Sequence, residues 1–243
     1  MRKFRMEKIF LGLFFATIFC LLGCGPRLAK GPATASEILP PDSLKVKFSI
    51  DVDDSVNGSH TLSAVLFAVP YKRYRLEFSG PMGIGIASVL WTDAKWTLLL
   101  SQQKSYATGM GQFVGGFAGI PLFDMHRIAA LFWGETFPQN AVVDSTRDSA
   151  GVKIIVGKNS LGIPFRAERN ADGRVTKIVE GKETLTFEDY AEFNDRIAPA
   201  VTRAYRDGKN VLTVKIKRVN TDAEWGDATW RLPIPDSYEK IRY

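Results

Sequence analysis

The chain has 243 residues, 45% hydrophobic and 24% charged, with a formal net charge of +6, two cysteines and two histidines. That length supports one sizeable core. No dense basic run interleaves with aromatics on one face, which excludes a nucleic-acid footprint, and no Gly-x-Ser-x-Gly, phosphate loop or Cys/His ligand spacing is present to carry catalysis or a metal.

Residues 1–23 read as a removable leader. Arg2, Lys3, Arg5 and Lys8 form a basic start, and Ile9 to Leu22 is an apolar run too short to span a bilayer comfortably. The run ends Leu21-Leu22-Gly23-Cys24, which resembles the lipobox of bacterial lipoproteins. That resemblance implies cleavage before Cys24 and lipid on Cys24; Cys20 competes poorly because bulky Phe19 precedes it. Removal of the leader, with its four cations and one acid, leaves 220 residues and a net charge near +3. With Cys20 gone and Cys24 a thioether, no thiol remains for a disulfide or a Cys metal site. Gly25 rather than Asp follows the cysteine. Under the enterobacterial sorting rule this implies an outer-membrane lipoprotein, lipid-anchored and facing the periplasm. Residues 24–43, rich in Pro, Ala, Gly and Ser, read as a lipidated tether.

From Leu44 the strand signals are dense. Val46, Phe48, Ile50 and Val52 alternate with Lys45, Lys47, Ser49 and Asp51, and Asn57-Gly58 predicts a hairpin. Thr61 to Val69 returns to a stop at Pro70. Next come Tyr74, Leu76 and Phe78, alternating with Arg73, Arg75 and Glu77, and then the turn Gly80-Pro81-Met82-Gly83. Met82 is out of place at a turn tip, where a polar residue is usual. It either folds back on a neighbouring strand or meets something greasy outside. Ala87 to Trp91, Trp96 to Ser101 and a strand near Tyr106 follow; Val65–Val69, Val89–Trp91 and Leu98–Leu100 are apolar on both faces. A sheet of that kind is covered on both sides or encloses something. The successive hairpins predict an antiparallel meander curling into a barrel.

The pattern breaks at Gly109. Gln112 to Gly119 and Asp124 to Trp133 read as two short helices around Pro121, the second apolar almost all round, with Asp124 and Gly134 as caps. Strands resume at Val152–Val156, Phe165–Arg169, Val175–Val179, Thr184–Tyr190, Ala200–Arg206 and Val211–Arg218. The segment 226–243 reads as a C-terminal extension and a possible added edge strand.

The run from Tyr74 through Pro81-Met82-Gly83, the segment Gln112 to Leu122 and the stretch Met125 to Gly134 together resemble the LolB family of outer-membrane lipoprotein receptors. The resemblance covers 44–225 and implies a mainly β fold, an unclosed antiparallel barrel of the LolA/LolB type with two short helices as a lid over an apolar cavity. It implies that acylated lipoproteins are received from a soluble, periplasmic LolA-like carrier and placed in the outer membrane. Pro81, Met82 and Gly83 then form the membrane-inserting loop, with Met82 where the family has Leu. Leu66, Phe78, Trp91 and Trp96 would line the cavity, and Phe113, Phe117, Ile128, Leu131 and Phe132, with Trp133, would form the lid. Each of these aromatic and aliphatic positions also reads as ordinary core. The chain is expected to act as a monomer, without catalytic residues, metal or cofactor. The alternatives are an envelope scaffold that uses the same barrel with a collapsed interior, and a carrier of another lipid.

Overall fold

The computed structural model describes residues 40–242 apart from 55–57, 112, 116–122, 135, 139, 160–161, 195 and 222–223. Cys24, the leader, residues 24–39 of the tether and Phe117 therefore lie outside the described residues.

Six strands come first, each joined to the next by a hairpin: β1 (Leu44–Asp54), β2 (Gly58–Val69), β3 (Arg73–Ser79), β4 (Gly85–Thr92), β5 (Lys95–Leu100) and β6 (Ser105–Met110). A second meander follows: β9 (Val142–Ser149), β10 (Val152–Lys158), β11 (Pro164–Arg169), β12 (Val175–Glu180), β13 (Glu183–Phe193), β14 (Arg196–Arg206) and β15 (Lys209–Asn220). β15 returns antiparallel to β1, with Val46 opposite Val219 and Ile50 opposite Val214, and so fuses the meanders. The result is one 14-stranded sheet, running from β16 (Glu239–Lys240) and β6 through β1 and β15 to β9. It is antiparallel apart from the β16–β6 pair, and it does not close.

The alternation read from the sequence decides which face is buried. Val46, Phe48 and Ile50 of β1, Leu62, Leu66 and Ala68 of β2, and Tyr74, Leu76 and Phe78 of β3 all lie in one core cluster. Strand residues of opposite parity face away. A second cluster on the other meander holds Ile155, Phe165, Ala167, Val175, Ile178 and Phe187.

The chain crosses this inner face between β6, next to one edge, and β9, which forms the other. The crossing segment holds a two-stranded ribbon, β7 (Val114–Gly115) with β8 (Phe123–Asp124), and the helix α1 (Met125–Leu131). Phe113, Met125, Ala129, Ala130, Phe132 and Trp133 join the first cluster, while Leu131 and Phe137 pack on the second.

The expected pair of lid helices is corrected here. Among the described residues there is one short α-helix, Met125–Leu131. Val114–Gly115, expected to be helical, is strand, and Asp124, expected as a cap, belongs to β8. Gly115 accounts for the described part of the difference, because glycine costs a helix about 1 kcal/mol relative to Ala; the rest of the expected helix, 112 and 116–119, lies outside the described residues. The helix also stops early. Bonds from the Phe132, Trp133 and Gly134 amides to the carbonyls three residues back tighten its end, and Gly134 has φ 88°.

The C-terminal segment covers part of the outer face of β2 and β3, which accounts for Phe67 among the apolar residues on that side. Trp225 packs edge-on to Phe67 at 5.9 Å and to Trp230 at 5.7 Å, and the Arg73 guanidinium lies 4.4 Å above the Trp230 ring. Arg75 donates to the Thr229 and Arg231 carbonyls at 2.9 and 3.0 Å. The segment then runs to the far edge, where the Glu239 and Ile241 amides donate to the Lys104 and Tyr106 carbonyls. Arg75→Ala removes both carbonyl contacts and strands Glu77, its 2.9 Å partner. The expected loss is about 1.5–3 kcal/mol, read as a lower urea midpoint at unchanged slope.

The opposite edge, β9, is exposed along its whole length. Asp144, Arg147 and Asp148, with a register shift opposite Val156/Gly157, guard it against pairing with another chain.

Candidate functional site

The β3–β4 hairpin builds the tip. The Gly80 amide donates to the Ile84 carbonyl at 2.9 Å, Gly83 to Gly80 at 3.2 Å, and Ile84 to Pro81 at 3.4 Å. Met82 has φ 59° and ψ 17°, and Gly83 has φ 75°. Two successive left-handed residues match the twist of a hairpin, and Asn-Gly or Gly-Gly are the usual occupants. Methionine in that conformation costs roughly 1–2 kcal/mol against glycine. Its side chain recovers none of this by packing, being 93% exposed, with Ile84 beside it 54% exposed. Tyr71, the other large residue of apolar character at positive φ among those described, meets Trp133 edge-on at 6.1 Å instead. A strained, oily, unpacked tip has no explanation in the stability of the hairpin.

The inner face gathers the other expected site residues. Leu66 and Phe78 are buried in the first cluster, with Trp91, Trp96 and Ile128 half-buried against it. Trp91 donates its indole N–H to the Gly111 carbonyl at 2.7 Å and tilts on Tyr74 at 5.7 Å. Trp96 lies flat over Gly109, where any Cβ would collide with the indole, and meets Phe113 edge-on at 5.2 Å. Phe132 packs on Phe48 at 4.8 Å. Leu131 lies apart from these, on the second cluster. The crossing segment thus contributes Phe113, Phe132 and Trp133 to the first cluster and Leu131 and Phe137 to the second.

The sequence reading passed over a polar feature of the same face. In β11, Phe165, Ala167 and Arg169 share a parity, so Arg169 points inward beside two core residues. Its guanidinium lies 4.9 Å from the Phe137 ring, which meets Phe165 edge-on at 5.4 Å. Its Nε is buried and has no hydrogen-bond partner, and burial holds the group below the usual guanidinium range. Nearby, Tyr190 donates to the Val175 carbonyl at 2.6 Å, and burial pushes its phenol up. Arg174 lies 5.5 Å from the Tyr190 ring. The alternation over Phe165–Arg169 is the signal that would have found Arg169.

A polar cleft of about 390 Å³ opens where β1 and β2 meet, lined by Asp51, Asp53, Ser59, His60, Thr61 and Asn210 among others. Its acids are engaged. Lys215 at 2.9 Å and Thr61 at 2.8 Å hold the Asp51 carboxyl below its usual range, and Ser59 bonds Asp53 at 3.2 Å.

No family model matches the chain, and no curated protein does. Solved structures do. A LolA superfamily protein of Nitrosomonas europaea is 10% identical with a TM-score of 0.56, over 83% of this chain and 99% of that one. A DUF1329 family protein of Desulfovibrio piger is 9% identical with a TM-score of 0.56, over 81% and 92%. A Vibrio parahaemolyticus domain named for outer membrane lipoprotein sorting is 12% identical with a TM-score of 0.51, over 78% and 92%. At these identities the likeness is one of fold. The chain has a LolA-like fold, and the likeness does not single out the LolB receptors.

Proposed function

We propose that this chain is an outer-membrane lipoprotein that takes the acyl chains of other lipoproteins from a soluble periplasmic carrier and passes them to the membrane, in the manner of LolB. The observation that carries the reading is Met82, an unpacked apolar side chain held at a left-handed turn. The LolA-like fold and the lipobox at Cys24 support it. In this mechanism the crossing segment lifts from the inner face, acyl chains take the place of its aromatic rings, and the tip contacts the bilayer. No bond is made or broken. The cargo passes from one apolar environment to the next, so differences of a few kcal/mol set the direction.

The test is transfer of a labelled lipoprotein from a loaded carrier to outer-membrane vesicles containing the full chain. Transfer that requires the chain is expected; vesicles with and without folded chain accepting cargo equally would end the reading. The anchor has its own test. Cys24→Ala is expected to abolish incorporation of labelled palmitate and to remove the chain from the outer-membrane fraction, because acylation supplies about 0.8 kcal/mol per buried methylene.

A second reading, an envelope scaffold, has one observation in its favour: Phe113, Phe132 and Trp133 already occupy the interior, each nearly inaccessible.

A further inference from the structure

We propose that Arg169 holds the anionic head of an acyl ligand whose chain lies along the second cluster, beside Phe137 and Phe165. The inference rests on the acyl-binding reading above and adds the ligand's charge.

Four arginines of this sheet pair with acids: Arg75 with Glu77, Arg166 with Glu168, Arg203 with Glu188 and Arg206 with Glu183. Arg73, Arg147 and Arg218 show no ion pair among the described residues either, but Arg169 differs from all of these in having a buried guanidinium nitrogen without a hydrogen-bond partner. Arg169 has no such acid among the described residues, although Glu168 precedes it. Strand alternation sends Glu168 to the outer face, where Arg166 takes it, and leaves Arg169 alone on the inner one. The residue paired with Arg169 on β10 is Lys153, an exposed second cation; the acid opposite that, Asp148, stands one strand further away, on exposed β9. Arg174, stacked on Tyr190, likewise has no ion pair among the described residues.

Arg169 as a whole is half-buried, but its Nε–H is buried with no acceptor, which is unfavourable unless something completes it. The surroundings state what that partner must be. Its head must accept hydrogen bonds in the plane of the guanidinium, which carboxylate and phosphate do. Its remainder must be apolar, because Ile155, Phe165, Ala167 and Phe187 continue from Arg169 along the same face. An amphiphile with a carboxylate or phosphate at the end of an acyl chain meets both demands.

The experiment photolabels the purified full chain in detergent with three diazirine probes: palmitic acid, the alcohol of the same chain, and a phosphatidylglycerol bearing that chain. At least one anionic probe is expected to label about tenfold more than the alcohol, the change that one hydrogen bond to a charged group supplies. Whether the acid or the phospholipid leads tells carboxylate from phosphate. Arg169→Gln should bring the anionic probes down to the alcohol's level while leaving alcohol labelling, and hence the fold, unchanged; Arg169→Lys should fall between. Equal labelling by all three probes, or anionic labelling that survives Arg169→Gln, overturns the role of Arg169 and leaves acyl binding standing. Labelling by none of the three overturns acyl binding and this inference with it.

Discussion

Met82→Glu is expected to stop delivery of acylated cargo while the protein stays folded. An exposed side chain on a turn contributes little to the core, so the urea midpoint should barely move. The membrane contact loses twice. Burying a methionine side chain is worth about 1.5–3 kcal/mol, and placing a carboxylate in hydrocarbon costs about 2.5–3.5 kcal/mol by insertion scales. Even at half that sum, transfer falls roughly a hundredfold. Met82→Leu, which keeps the apolar bulk, should retain delivery. Met82→Gly gives the sharper result. It relieves the left-handed backbone at φ 59°, so the hairpin should gain about 1 kcal/mol while delivery falls. A variant more stable and less active than the parent shows that the methionine is kept for contact rather than for folding. Transfer to vesicles and urea unfolding, measured on the same preparations, read both halves. Undiminished transfer by Met82→Glu would remove the tip from the mechanism.

The legible parts of this fold are those where local pattern and burial agree. β1 and β3 alternate cleanly because one face meets the core, and Val46, Phe48 and Ile50, like Tyr74, Leu76 and Phe78, are buried as the period requires. β9 escaped the sequence reading because all eight of its residues are exposed and it has no apolar face to betray it. The crossing segment was misread for the opposite reason. Its apolar density suggested two helices, yet the glycines between 109 and 119 work against a helix there. The role of the C-terminal segment is a long-range fact. Nothing within 225–241 announces that Trp225 and Trp230 cover Phe67 and Arg73, some 150 residues earlier in the chain. The oily second face of β2 was an incomplete clue: it required a cover, and the chain supplies one itself. That an apolar residue sits at the Gly-Pro turn is legible in the sequence, whereas its exposure and its left-handed backbone need the fold.

The C-terminal segment covers Phe67 on the outer face, so acyl chains would lie on the inner one, where rings of the crossing segment already pack. Phe132→Ala separates the two readings of that interior. Phe132 is 1% exposed and packs on Phe48, so truncation should cost about 3–5 kcal/mol in the empty protein. A scaffold has no means of recovering that loss. A receptor whose acyl chains displace Phe132 does, because the hole is already open for them and the parent must first expel its own ring. A palmitoylated peptide should therefore raise the melting temperature of full-length Phe132→Ala more than that of the parent, since only ligand bound to the folded state adds stability. The gain should also grow with acyl length, by about 0.8 kcal/mol for each methylene buried, up to the length the inner face can hold. A deficit that stays the same at every ligand concentration and chain length would identify Phe132 as plain core and favour the scaffold. A deficit that closes as the ligand is added would identify the crossing segment as the part of the chain that yields to cargo.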